Sequence, residues 1–156
     1  MMILALLIAA ALVCFGLAGY GFGRLGQIGV RRADRQTRLR CAAALTGAAA
    51  AAVYAWGLLN LGVAMFDTDD SGTDAFPIRP CRTAGAPEAA ADVVGHRIEY
   101  LPPRYVCLRR SGESYATDDV PGFVGPGTVG LAAIAALCAL LAGMTPSASP
   151  PKSPGQ

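Results

Sequence analysis

The sequence predicts an all-α membrane protein: three transmembrane helices carrying a small, disulfide-clipped extracytoplasmic loop that contains a β-hairpin. Three observations carry that reading. Hydrophobic residues make up 53% of the 156-residue chain and charged residues only 15%, whereas a soluble domain usually has about 25% charged residues. The charges avoid three windows, Met1–Gly23, Cys41–Phe66 and Phe123–Pro151, and an uncharged apolar run of about 18 or more residues reads as a bilayer-crossing helix. The long polar stretch between the second and third windows holds one pair of cysteines, Cys81 and Cys107. The chain therefore divides into a first span (1–23), an Arg-rich linker (24–40), a second span (41–66), an exported loop (67–122), a third span (123–144) and a Pro/Ser-rich tail (145–156).

The first span reads as a retained helix. No basic residue precedes its apolar core, no A-x-A-like cleavage site leads to a polar start, and Cys14 lacks the small residue that precedes a lipidated cysteine. Gly19 and Gly23 form a small-residue pair at its far end. The second span carries Ala43, Gly47, Ala51 and Ala55 at four-residue spacing, and the third carries Ala135, Ala139 and Gly143. Small residues in such rows let helix backbones approach closely. They predict a three-helix bundle whose small-residue faces also offer a route to another membrane protein. The third helix is expected to start near Pro126, a residue suited to a first turn.

The spans hold no Asp, Glu, Lys, Arg or His, and intramembrane ion or substrate pathways nearly always use such groups. Asn60 is the one strongly polar side chain in the apolar cores and is expected to bond a neighbouring helix. Tyr54 and Trp56 lie deep and read as packing residues, while Tyr20 suits an interface.

Charge sets the orientation. Arg24, Arg31, Arg32, Arg35, Arg38 and Arg40 stand against one aspartate, a net +5 in the linker, whereas the long loop has six arginines against ten acids, a net −4. Short Arg-dense loops stay in the cytoplasm, so these six arginines are the topology determinants. The N-terminus and long loop are expected outside, the linker and tail inside. The linker can attract anionic headgroups, and it is too short and too closely hemmed by spans to serve nucleic acid. The tail has polyproline composition.

The exported loop opens with Asp67, Asp69, Ser71 and Gly72, which copy the first half of an EF-hand calcium loop. Its twelfth position is Ile78 where a bidentate glutamate belongs, so no metal site is assigned. A short helix is expected from Pro87 to a stop at Gly95. Beyond it, Ile98, Tyr100, Tyr105, Val106, Leu108 and Tyr115 favour strands, and Ser111–Gly112 marks a hairpin turn. Pro102–Pro103 cannot donate to a ladder and mark an edge, bulge or break. So small a unit needs a staple, and outside the cell Cys81 and Cys107 would pair. Neither C-x-x-C, P-loop, G-x-S-x-G nor H-E-x-x-H occurs. His96 reads as surface-polar, and Glu99 with Glu113 is a carboxylate pair of the kind any acidic loop offers.

In composition, span order and its two-cysteine loop, the chain resembles small Ala-rich multi-pass membrane proteins of high-GC bacteria that carry no assigned activity. The resemblance assigns no residue a role. The expectation is a non-enzymatic accessory or interaction protein without cofactor, in contact with the lipid bilayer and with another membrane protein through its helix faces or its loop. The alternatives are a helix-contributing subunit of a transport or channel complex and, less favoured, an exported thiol redox protein.

Overall fold

The computed structural model describes residues 2–29, 31–69, 81, 91–117 and 120–144. The elements follow as α1 (Met2–Ile28), α2 (Arg35–Asp69), β1 (Val93–Tyr100), β2 (Pro103–Arg109), β3 (Ser114–Ala116) and α3 (Val124–Met144). Each helix contains a stretch long and apolar enough to cross a membrane.

The first two helices run past their uncharged windows. Arginine and glutamine are good helix formers, so α1 continues through Arg24 to Ile28 and α2 already begins at Arg35. The turn between them shrinks to residues 29–34. Gly29 ends α1 in the left-handed region (φ 78°), with its N–H on the Leu25 carbonyl at 2.9 Å, the glycine-terminated helix stop. Asp34 caps α2. Its carbonyl accepts from the Arg38 N–H at 3.0 Å, and the Thr37 hydroxyl, followed by the Thr37 and Gln36 backbone, holds its carboxyl below the usual range.

Helix α2 is the spine: α1 and α3 each pack along it. An added Cβ at Gly47 would lie 3.0 Å from Leu17 of α1 and 3.8 Å from Ala135 of α3. The α2–α3 register is set at both ends. Gly57 faces Val124, and the Gln36 side-chain amide donates to the Ala142 carbonyl at 3.1 Å. The part of α2 beside α3 is thus Gln36–Gly57, and the final third of α2 rises past the start of α3. Helix α3 begins at Val124, two residues before the expected start. First-turn N–H groups have no intrahelical acceptor, so proline is tolerated further into that turn.

The sheet is antiparallel, in the order β1-β2-β3. Ile98 pairs with Tyr105, His96 with Cys107, and Cys107 with Tyr115. The expected hairpin is β2–β3, closed by Gly112 (φ 87°) with the Arg109 N–H on the Glu113 carbonyl at 2.9 Å. A second, tighter hairpin joins β1 to β2 through Leu101–Pro102, whose peptide bond is cis, and Pro103 opens β2. Gly95 does not stop a helix. The β-branched pair Val93–Val94 begins β1, and the register shifts between Val93 and Gly95, a bulge that glycine accommodates. The remainder of the expected Pro87 helix, and Ser71, Gly72 and Ile78 of the calcium-like segment, lie outside the described residues. Asp67 and Asp69 belong to α2, because the helix does not end at Phe66.

Candidate functional site

One face of the sheet carries Ile98, Tyr100, Pro103, Tyr105, Cys107 and Tyr115, as period-two alternation requires. It packs onto the upper third of α2. Leu61, Cys81, Val93, Tyr105, Cys107, Val120 and Val124 form one buried cluster, with Ile3, Val53, Ile98, Tyr100 and Tyr115 against it. Leu58 and Leu61 are both 0% exposed. At the level of Leu61, α2 is therefore the wall of a small protein core.

Cys81 and Cys107, also 0% exposed, stand at bonding distance, with Sγ–Sγ at 1.94 Å and Cα–Cα at 6.0 Å. The Tyr115 hydroxyl donates to the Cys81 carbonyl at 2.7 Å, and burial pushes that hydroxyl above its ordinary titration range despite the Arg109 charge. The bridge thus ties Cys81 to the central strand, and Tyr115 ties it to β3. Cys14 and Cys138 are half-buried free thiols, and Cys41 is a buried one.

Two contacts seat the sheet lower on the bundle. The Tyr54 hydroxyl donates to the Tyr100 carbonyl at 3.0 Å, and a Cβ on Gly57 would meet Pro103 Cγ at 2.9 Å. Tyr54 is thus a tether between α2 and the sheet. Trp56, expected to pack internally, is 56% exposed. Asn60 donates to the Trp56 carbonyl of its own helix at 2.7 Å, and among the described residues it bonds no neighbouring helix.

The sheet's opposite face presents Arg97, Glu99, Arg104 and Leu108. Arg97 pairs with Glu99, and Arg109 pairs with Glu113 at 3.0 Å. Glu99 and Glu113 therefore sit at opposite ends of the sheet, each on its own arginine, and form no carboxylate pair. His96 stacks on Tyr105, with ring centroids 5.3 Å apart.

At the other end of the bundle, Arg24 lies on α1, Arg31 and Arg32 in the turn, and Arg35, Arg38 and Arg40 on α2, all exposed. Arg38 Nε donates to the Ala33 carbonyl at 2.8 Å. Here too the small-residue rows are only partly used. Gly21, not Gly19 or Gly23, meets α2, where a Cβ would lie 2.9 Å from Leu45. On α3, Ala135 touches α2, whereas a Cβ on Gly143 would meet nothing within 4 Å. Ala139 and Gly143 instead border a groove of about 340 Å³ between α1 and α3, with Leu17, Tyr20, Arg40 and Ala43. Four-residue spacing identifies a close-packing row but not the face turned to a neighbour.

Comparison with protein-family models, curated proteins and solved structures returned no match for this chain.

Proposed function

We propose that this chain is an integral membrane protein crossing the bilayer three times, with its N-terminus and sheet outside and its arginine turn and tail inside, and that it is a non-enzymatic interaction protein displaying the sheet to a partner. The observation that carries the reading is the seating of the sheet. Strands β1–β3 are fixed to α2 through Tyr54, Gly57 and Leu61, and the Cys81–Cys107 bridge holds the central strand to the segment before the sheet, so their opposite face is a rigid surface rather than a loose loop. Rigidity lowers the ordering cost of binding. The six arginines at the other end supply the positive-inside bias, and the crossing part of α2 ends near Gly57, level with the start of α3, rather than at Phe66. Burial of both bridge sulfurs weighs against a cycling thiol.

The groove beside Ala139 and Gly143 favours the second reading, a helix-contributing subunit of a transport or channel complex, since another helix could lie there. Membrane-impermeant thiol labelling of intact cells, with and without reductant, tests the topology: Cys107 labels only after reduction if the sheet is outside and bridged. Photo-crosslinkers at Leu108 and at Gly143 then separate the readings. A partner captured only from Leu108 supports sheet display, and a transport assembly captured from Gly143 supports the subunit.

A further inference from the structure

The Leu101–Pro102 turn points down the bundle, not away from it. A Cβ on Gly125 of α3 would lie 3.3 Å from Pro102 Cβ, and the preceding carbonyl, that of Tyr100, is held by Tyr54. Beside the turn lies a hollow of about 410 Å³, lined by Tyr54, Leu101, Pro102, Arg104, Thr128 and Val129 among others. The turn therefore sits alongside the first two turns of α3, below Val124.

Helix α3 has 21 residues, about 31 Å at 1.5 Å each, against a hydrocarbon core of about 30 Å. It has no length to spare, so residues beside its first two turns lie at the edge of the hydrocarbon. Two-residue hairpin loops normally carry Asn-Gly or Asp-Gly. This one carries a leucine that is 85% exposed, and Val129, which lines the same hollow, is 69% exposed. In lipid, a leucine so placed is an anchor. One charged residue borders the hollow: Arg104, which has no ion-pair partner among the described residues.

Resting on the membrane reading above, we propose that this hollow is a phospholipid site of the outer leaflet. An acyl chain lies against Leu101, Pro102 and Val129, and the Arg104 guanidinium meets the phosphate. The β1–β2 turn is thereby a second membrane anchor, holding the sheet against the bilayer surface.

Trp56 is the only tryptophan, so the full chain carrying Trp56→Phe accepts single reporters: Leu101→Trp at the turn, Ser111→Trp at the far end of the sheet and Leu137→Trp midway along α3. Each is reconstituted in vesicles of anionic phospholipid and quenched by bromine on the acyl chains or by iodide in water. The proposal expects reporters 137 and 101 to be quenched by brominated lipid and spared by iodide, with the reverse at 111. If 137 is not lipid-quenched, the membrane reading fails and takes the site with it. If 137 is quenched but 101 follows 111, the membrane reading stands and the site is overturned. Protection of 101 from both quenchers means that protein fills the hollow, a second copy or a partner helix, and also overturns it. Arg104→Gln in the Leu101→Trp chain tests the phosphate contact. Quenching at 101 should weaken at least twofold when the brominated lipid is a dilute anionic component, and an unchanged value removes Arg104 from the site.

Discussion

The Tyr54 hydroxyl donates to the Tyr100 carbonyl at 3.0 Å, across 46 positions of sequence. It joins the middle of α2 to the end of β1 and fixes how far down the bundle the sheet sits. Tyr54→Phe removes the donor and leaves that carbonyl without it, so it should destabilise the fold by about 1–2 kcal/mol. Urea unfolding in detergent micelles measures this, and an effect near zero would mean that the tether carries no energy.

Gly57 is where α2, α3 and β2 meet. An alanine Cβ there would lie 2.6 Å from Val124 Cγ1 and 2.9 Å from Pro103 Cγ, both stiff side chains. Gly57→Ala should cost about 1–3 kcal/mol through overpacking. Gly62→Ala, with nothing within 4 Å, should be neutral or stabilising by up to about 1 kcal/mol from helix propensity. The paired melting temperatures check the ordering.

Leu61 and Leu59 are close neighbours with opposite fates: 0% against 50% exposed. Leu61→Ala opens a cavity against Cys81 and Tyr105 and should cost about 2–5 kcal/mol. Leu59→Ala should cost well under about 1 kcal/mol. Equal losses in the unfolding free energy would contradict a protein core at this height on α2.

Cys81 and Cys107 are 26 positions apart in sequence. Opening their bridge with Cys81→Ala and Cys107→Ala together should lower stability by about 3–3.5 kcal/mol in the chain-entropy model. The loss should be confined to the sheet end, so protease sensitivity is expected to rise near β1–β3 while the helix bundle keeps its circular-dichroism signal.

Asp34 gives a pH dependence. Its folded carboxyl titrates below the usual range because Thr37 and the first-turn N–H groups of α2 bind the charged form. A depressed carboxylate stabilises above its unfolded pKa, and that contribution fades as pH falls through the lower, folded value. Amide exchange at Gln36, Thr37 and Arg38, corrected for intrinsic rates, should therefore stay slow at neutral pH and accelerate below the ordinary aspartate range. Asp34→Asn, which keeps a capping oxygen but no charge, should flatten the profile.

Much of the architecture is legible in residue types. Absence of charge marks the three long apolar helices, Ser111–Gly112 marks the β2–β3 turn, and two cysteines in one polar stretch mark the bridge. Val93–Val94 misled the helix reading because alanine filling and a glycine suggest a helix end, whereas two β-branched residues, the first opposite Arg109, begin a strand. The seat of the sheet was hidden for a different reason. Tyr54, Gly57 and Pro103 carry no signal of one another, and a tyrosine and a glycine inside an apolar run look like any others.

By itself the sequence determined how many apolar helices form, where basic charge collects, which cysteines bond and where the hairpin turns, because each follows from local composition or spacing. The tertiary structure alone decided where α2 passes the start of α3 and becomes the wall of a core, which glycines are contact points, and that Leu101 is carried down beside α3. Hydrophobicity reports only that a side chain avoids water. Whether lipid or protein covers it depends on the level at which distant segments meet, and only three-dimensional packing sets that level.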